Sequence, residues 1–150
     1  MPIRPADAAD LTAVERIVHD AYGMYVDRIG KPPGPMLDDY AALIRSHAVW
    51  VSQGDAPGEP IAGLIVLLAE PDHLLLDNIA VAPAAQGTGV GRALMLFADA
   101  EACRRGYTEL RLYTHQMMTE NIALYSRSGW TETGRGDQNG FARVFFRKPV

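Results

Sequence analysis

The feature that most constrains this chain is a buried strand that runs into a glycine-rich loop and then into a helix. Residues 74–81 are mostly apolar, Pro83 ends the run, and glycines follow at positions 87, 89 and 91. An apolar helical pattern begins at about Val90. Glycines let backbone N–H groups approach an anion closely, and a helix start adds partial positive charge. The segment therefore predicts a site suited to a pyrophosphate.

The loop differs from two well-known nucleotide-binding loops. No Gly-Lys-Ser or Gly-Lys-Thr follows it, so it is not a Walker loop. Its glycine spacing does not fit the dinucleotide pattern Gly-x-Gly-x-x-Gly either. On loop composition alone, a turn whose glycines serve only tight packing stays equally open.

Size and charge narrow the class of protein. A chain of 150 residues suits one domain, which we expect to span 1–150. The net charge is −4 and no Lys/Arg block occurs, so nucleic acid is not an expected partner. No apolar run reaches the ~18 residues of a membrane span, and no secretory signal opens the chain. The single cysteine, Cys103, fits a reducing compartment, so we expect a cytoplasmic location.

The apolar periodicity predicts an α/β fold in the order β-α-α-β-β-β-α-β-α-β-β. The central strands follow one another on short connections and are therefore antiparallel, with one parallel crossover after Val81. Asp10 is the expected cap of the first helix, and Asn139-Gly140 the expected turn of a closing hairpin. We expect strands at 3–4, 49–52, 61–68, 74–81, 109–114, 130–133 and 141–147, and helices at 11–21, 37–46, 90–104 and 122–127.

Three blocks of sequence resemble the GNAT acetyltransferase superfamily. The loop 86–91 matches the family's acetyl-CoA motif, Arg/Gln-x-x-Gly-x-Gly/Ala, and its flanks Ile-Ala-Val-x-Pro and Arg-Ala-Leu are also similar. Residues 124–130 resemble the family's Leu-Tyr-x-x-x-Gly-Phe block, and the opening residues 3–6 resemble its first strand. The order of elements is the family's as well, so the resemblance covers nearly the whole chain.

The resemblance implies a fold and an activity. The fold is a mixed, mostly antiparallel central sheet flanked by helices. The activity is direct transfer of an acetyl group from acetyl-CoA to a primary amine of a small molecule, amino acid or peptide. A non-catalytic acetyl-CoA-binding sensor or subunit is the main alternative, and a binding domain for another phosphate ligand is a third. The oligomeric state, a homodimer included, stays open.

The resemblance also implies how acetyl-CoA is held. The backbone of Ile79, Ala80 and Val81 is expected to line the acetyl and pantetheine arm, where this strand splays from its neighbour. Ala85 and Thr88 stand where many relatives carry Arg or Lys, so backbone dipoles are expected to carry much of the affinity. The pyrophosphate site is expected to comprise Gln86, Gly87, Thr88, Gly89, Val90, Gly91 and Arg92.

Two residues near the second block have competing interpretations. Tyr125 stands where relatives often place a tyrosine near the thioester sulfur, so it is the expected general acid, unless it only packs on the sheet. Many relatives carry an asparagine seven residues before this tyrosine, where this chain has Met118. Asn121 either replaces that cofactor contact or caps the helix, and we favour the cap slightly.

Acetyl transfer also needs a base, a stabilised oxyanion and an acceptor site. Asp77 is the first candidate base, with a solvated strand carboxylate as the equal alternative; His115 and Glu120 are the runners-up. A backbone N–H within 79–81 is the expected oxyanion donor. Residues 23–39, here called the acceptor loop, are expected to border the acceptor. Its acidic and aromatic neighbourhood could receive a cationic amine: Tyr22, Tyr25, Asp27, Asp38, Asp39 and Tyr40.

Two further expectations concern residue types that often carry chemistry. The four histidines show no metal-ligand spacing with one another or with Cys103, so no metal is expected. Cys103 lies in an apolar helix, and we expect it to be a buried packing residue.

Overall fold

The computed structural model describes residues 2–150, which build one seven-stranded sheet with helices on both faces. The strands are β1 (Ile3–Pro5), β2 (Val49–Gln53), β3 (Ile61–Ala69), β4 (Leu74–Val81), β5 (Glu109–His115), β6 (Thr131–Gln138) and β7 (Phe141–Pro149). The helices are α1 (Leu11–Tyr22), α2 (Tyr25–Ile29), α3 (Tyr40–Arg45), α4 (Val90–Arg104) and α5 (Thr119–Arg127). Short 3-10 turns lie at Ala8–Asp10, Gly34–Leu37 and Pro83–Ala85.

The strand order across the sheet is β1-β2-β3-β4-β5-β7-β6. All neighbouring strands are antiparallel except β4 and β5, which are parallel and joined by the crossover through α4. The predicted fold class, with its single parallel crossover, is confirmed. The short helix α2 lies within the acceptor loop.

The central strand β3 explains how two cores form on one sheet. Successive side chains of a strand point to opposite faces. Leu64 and Val66 accordingly join the core under α1 and α3, whereas Ile65 and Leu67 join the core under α4 and α5. The near-continuous apolar run of this strand is therefore what a strand buried on both faces requires.

Two helix-level predictions are wrong. Asp10 does not cap α1, because its carboxylate accepts hydrogen bonds from the Asp7 N–H at 2.8 Å and from Arg4 at 2.8 and 3.0 Å. Asp7 instead caps the 3-10 turn that leads into α1. Cys103 is exposed, because it lies outside the buried stripe of α4 that includes Ala98 and Ala102.

A β-bulge in β4 marks the point at which this strand stops pairing with β5. The register with β3 passes from Leu67 opposite Leu76 to Val66 opposite Asn78, which leaves Asp77 as the extra residue. On the other edge, β4 pairs with β5 only over Leu74–Leu76. Beyond the bulge the two strands part, and the rest of the site is built in the gap.

The close approach of α4 to β3 gives a first testable prediction. A Cβ at Gly63 would lie 2.8 Å from Val90 Cγ1 and 3.0 Å from the Ala80 carbonyl oxygen. Gly63→Ala is therefore expected to lower the free energy of unfolding by about 1–3 kcal/mol through overpacking. Urea denaturation followed by circular dichroism measures this change.

The matched control is Gly136→Ala in the exposed strand β6, where an added Cβ meets nothing within 4 Å. Its stability should stay within about 0.5 kcal/mol of the wild type. Equal stability of the two variants would show that α4 has room to move away from the sheet.

Candidate active site

The gap between β4 and β5 is the first part of the site, and we call it the interstrand cleft. After Leu76 the strands no longer pair, while β5 continues its ladder with β7. The enclosed space is narrow, about 30 Å³, and its walls include Ile79, Asn121 and Tyr125. A gap of this shape suits an extended chain rather than a globular ligand.

The free edge of β4 offers backbone groups to this cleft. The Ile79 carbonyl accepts a hydrogen bond from the Tyr22 hydroxyl at 2.8 Å, which places it on the edge away from β3. The N–H and C=O groups of successive residues point alternately to the two edges of a strand. Those of Val81 therefore point to the same edge as those of Ile79. Ala80 faces β3 instead, where its carbonyl oxygen lies close to Gly63. Ile79 and Val81 thus face the cleft with backbone groups that no neighbouring strand pairs, although the Ile79 carbonyl is already bonded to Tyr22.

The glycine loop lies at the end of the same strand. Gly87 and Gly89 have φ of 78° and 92°, conformations that residues with a Cβ rarely adopt. Gly89 is the N-cap of α4 and makes no side-chain cap bond. The first helical bond runs from the Ala93 N–H to the Gly89 carbonyl at 3.0 Å, so the N–H groups of the preceding turn, Val90, Gly91 and Arg92, stay free of helical acceptors.

The side chains of this loop leave its anion-binding face open. Gln86 and Arg92 are exposed, and the Thr88 hydroxyl donates back to the Ala85 carbonyl. The 15-residue helix α4 directs its positive dipole end at the loop. Free N–H groups, two left-handed glycines and the helix start together form a concave donor site for a phosphate group.

Tyr125 is buried in the wall of the interstrand cleft. Its ring packs against the rings of Phe146, at 5.7 Å, and Trp130, at 6.0 Å. Burial raises the pKa of its phenol to about 12, so the hydroxyl is protonated at neutral pH. The ring packs on the sheet, as the interpretation of Tyr125 as a packing residue expects. The residue also borders the cleft, as its interpretation as a general acid requires.

Asn121 lies beside Tyr125 in the cleft wall. The interpretation of Asn121 as a helix cap is wrong, because α5 begins at Thr119 with Met118 as its N-cap residue. The Asn121 amide Nδ2 lies 3.7 Å from Met118 Sδ, and Met118 itself is buried. The amide thus borders the cleft at the position where a contact with a bound ligand is expected.

Asp77 occupies the junction of the interstrand cleft with a second, larger space. This outer cavity has a volume of about 290 Å³. Both spaces share Pro35, Asp77, Tyr113 and Arg143 in their walls. The Tyr113 hydroxyl donates to Asp77 Oδ1 at 3.0 Å, and burial together with the Asp77 charge raises the pKa of Tyr113 to about 12. The outer cavity is completed by Gly34, Leu37, Asp38, Asn139 and Phe141.

Asp38 places a second carboxyl beside Asp77. Partial burial and the neighbouring Asp77 carboxylate raise the pKa of Asp38 to about 7. Ionised Asp38 is repelled by the Asp77 charge, so Asp38 takes up a proton near neutral pH. Solvent on the exposed side of Asp38 moderates the effect. The sequence pattern indicated Asp38 only as one of several acidic residues near the acceptor.

The two alternative bases are placed less favourably. His115 is buried, and its Nδ1 accepts the Met117 N–H at 3.0 Å, so its other nitrogen carries the proton in the neutral ring. Burial, then the Arg143 charge, lower the pKa of His115. Glu120 pairs with Arg28 at 2.7 Å, and its hydrogen bonds lower the pKa of its carboxyl to about 2. Glu120 lines neither space.

A buried hydrogen-bond network that the sequence pattern did not indicate fixes the acceptor loop. Asn78 accepts from the Tyr22 hydroxyl at 2.6 Å and donates to the Tyr40 hydroxyl at 2.8 Å. Tyr40 in turn donates to the Pro35 carbonyl. Lys31 adds a bond of 2.6 Å to the Gly140 carbonyl. The hydroxyls of Tyr22 and Tyr40 are therefore engaged within this network, and the part of the loop around Pro35 borders the outer cavity.

The described residues form neither a metal cluster nor a membrane-spanning helix. Within residues 2–150, no three His, Cys, Asp or Glu side chains come together as a metal site. None of the helices described here is long and apolar enough to cross a membrane.

Comparison with known proteins places this geometry in a family. Residues 45–132 match the family model described as an acetyltransferase (GNAT) domain. Mycothiol acetyltransferase of Jonesia denitrificans is 38% identical over 77 residues, which are 50% of this chain and 24% of that protein. The uncharacterized N-acetyltransferase YjgM of Escherichia coli is 28% identical over 127 residues, covering 81% of this chain and 76% of that one. This chain thus spans about a quarter of the first relative and three quarters of the second.

A solved structure shows the same fold. PaiA N-acetyltransferase of Thermoplasma acidophilum, in complex with coenzyme A, superimposes with a TM-score of 0.78. The match covers 99% of this chain and 98% of that one, at 18% sequence identity. Because the matched family model also spans more than half of the sequence, this chain belongs to the GNAT acetyltransferase family.

Proposed function

We propose that this protein transfers an acetyl group from acetyl-CoA directly to a primary amine. The observation that carries the proposal is the junction at Asp77, where the interstrand cleft meets the outer cavity. Two substrates that enter from different sides would meet there. Family membership supports acetyl-CoA as the donor, and the Thermoplasma relative has coenzyme A bound.

The donor fits the backbone groups that β4 and α4 leave free. We place the pyrophosphate at the N–H groups from Gly87 to Arg92, where Arg92 is the one basic side chain of the loop. The pantetheine would lie along the free edge at Ile79 and Val81, with its amides paired to the backbone of Val81, as a peptide adds to a sheet edge. This placement brings the thioester toward Tyr125.

Asp77 is the proposed general base. Its carboxylate lies at the junction, with the Tyr113 hydroxyl on Oδ1 and Asp38 beside it. An amine in the outer cavity would lose its proton to this carboxylate before it attacks the thioester carbonyl. The N–H of Ile79 faces the cleft and is the proposed donor to the developing oxyanion.

Tyr125 is the proposed acid toward the leaving thiolate. A phenol whose pKa is about 12 is fully protonated at neutral pH and can donate a hydrogen bond to the sulfur. Thiols have a pKa of about 8.5, so complete proton transfer from Tyr125 would be uphill. Hydrogen bonding to the thiolate is therefore the larger part of the proposed role.

The alternative of a non-catalytic acetyl-CoA-binding sensor or subunit has less support. Such a module needs only the glycine loop and the free strand edge. The outer cavity, with a carboxylate at its junction with the cleft, has a use only if a second substrate binds.

The placement of the donor predicts the effect of changing Gly89. Gly89→Val puts a β-branched residue at φ of 92° and disturbs the N–H groups that open α4. We expect acetyl-CoA affinity to fall at least about 10-fold, the loss of roughly one charge-assisted hydrogen bond. Titration calorimetry on the folded variant measures this. Gly58→Val, at a left-handed glycine with similar free space, is the control and should keep wild-type affinity.

The role of Asp77 predicts a pH-dependent loss of activity. Asp77→Asn should lower kcat/KM by about 10²-fold, most strongly at low pH, where the acceptor amine is protonated. In the wild type, kcat/KM should decline below about pH 7, because Asp38 then takes up a proton and can donate a hydrogen bond to the Asp77 carboxylate, which weakens Asp77 as a base. Asp137→Asn, on the exposed strand β6, is the control. An unchanged pH profile in Asp77→Asn would remove Asp77 as the base.

The proposed role of Tyr125 predicts that its loss affects turnover but not the binding of acetyl-CoA. Tyr125→Phe keeps the ring and its packing, so acetyl-CoA affinity should change little while kcat falls by about 10- to 100-fold. Tyr107→Phe, which loses a hydroxyl bonded to the Glu70 carbonyl away from both spaces, should keep wild-type kcat. If kcat of Tyr125→Phe is also unchanged, the tyrosine is structural. A parallel fall of affinity and kcat would make it a binding residue.

A further inference from the structure

Arg143 is a buried charge that forms no ion pair with the residues the structure describes. The residue is 6% exposed, and it lies in the walls of both the interstrand cleft and the outer cavity. Its Nε makes no hydrogen bond, and none of the ion pairs within residues 2–150 includes its guanidinium. A buried charge that lacks an ionic partner is destabilising. Its presence in a cavity wall therefore points to a ligand that supplies the partner.

Aromatic rings hold this guanidinium in place. Arg143 Cζ lies 4.5 Å from the ring centre of Tyr113 and 4.7 Å from that of Phe141. These cation–π contacts offset part of the free-energy cost of removing the guanidinium from water, and they leave its N–H groups available as donors. The acceptor loop lies against the same group, because a Cβ at Gly34 would be 3.1 Å from Arg143 Nη2. The donors are thus fixed in direction before any ligand arrives.

The wall of the outer cavity contains charges of both signs. Asp77 and Asp38 attract Arg143 electrostatically, yet neither carboxylate pairs with it directly. The wall therefore carries carboxylates able to take a proton from an amine, together with a guanidinium that no carboxylate pairs. A ligand complementary to both kinds of group has an amine and an anion a short distance apart.

We propose that Arg143 binds a carboxylate of the acceptor, so that the acceptor is a small amine that also carries a carboxylate, such as a free amino acid. This inference rests on the proposed acetyl transfer and names its substrate class. A planar carboxylate matches the paired donors of a guanidinium. A dianionic phosphate would meet stronger repulsion from Asp77 and Asp38. The volume of about 290 Å³ suits a small acceptor.

The test compares amines that differ only in the carboxylate. Thiol release from acetyl-CoA is measured with a set of free amino acids and with the matching amino acid amides. The wild type should prefer the acids by about 10²-fold in kcat/KM, since the amides leave Arg143 unpaired. In Arg143→Met this preference should fall to about 1, mainly through a higher KM for the acids.

Two further variants complete the comparison. Arg147 lies on the same strand as Arg143 but is exposed and outside both spaces. Arg147→Met should therefore keep the wild-type preference for acids. Arg143→Lys keeps the charge but loses the two-pronged geometry, and its preference should be intermediate. If Arg143→Met does not fold, the binding of N-acetylated acids and amides to the wild type still decides, because only the acids should bind well.

The outcomes separate the two proposals. Thiol release with amides as fast as with acids would overturn the carboxylate assignment and leave acetyl transfer standing. An equal preference in the wild type and Arg143→Met would also overturn it. No thiol release with any amine, from a protein that binds acetyl-CoA, would overturn the proposed function itself, and the carboxylate assignment with it.

Discussion

The parting of β4 from β5 is the constraint on which the rest of the site depends. A strand inside a sheet normally has both edges satisfied, because unpaired buried backbone groups are costly. Here β4 keeps its ladder with β3 to Val81 but pairs with β5 only over Leu74–Leu76. The bulge at Asp77 falls where that pairing ends, so one irregularity both opens the cleft and places a carboxylate at its mouth.

The open edge is kept from collapsing by side chains on both sides. The Tyr22 hydroxyl, from α1, donates to the Ile79 carbonyl, and Tyr125, from α5, lines the cleft. Burial raises the pKa of both phenols, so both stay neutral and add no charge to a gap proposed to receive a thioester. The positive contribution comes instead from the start of α4, at the far end of the same strand.

Local sequence signals were sufficient for the strand, the loop and the helix that open the site. The ranges predicted for β4 and α4 agree with the structure, because their ends are set by proline and glycine within a few residues. The predicted helix at 37–46 was too long, since the Asp39 carboxylate accepts the Ala42 N–H at 3.1 Å and begins α3 at Tyr40. Asn121 was misread for a related reason, because α5 begins three residues earlier than its apolar pattern.

The outer cavity could not be predicted in this way. Asp38, Asp77, Tyr113 and Arg143 come from the acceptor loop and three different strands, and nothing in their spacing along the chain relates them. A weak signal exists for Arg143, which stands between Phe141 and Phe145 at alternate positions of one strand. A lone charge on an apolar strand face indicates a special environment, but its partners are fixed only by the sheet order.

The anchoring of the acceptor loop has an evolutionary consequence. Lys31 and Tyr40 attach the loop by donating to backbone carbonyls, at Gly140 and Pro35. Every residue type has such a carbonyl, so neighbouring positions can mutate without loss of the anchors. The loop residues that face the outer cavity are thereby free to diverge while β4 and α4 stay unchanged. A scaffold built this way can acquire new acceptors through a few substitutions in one short segment.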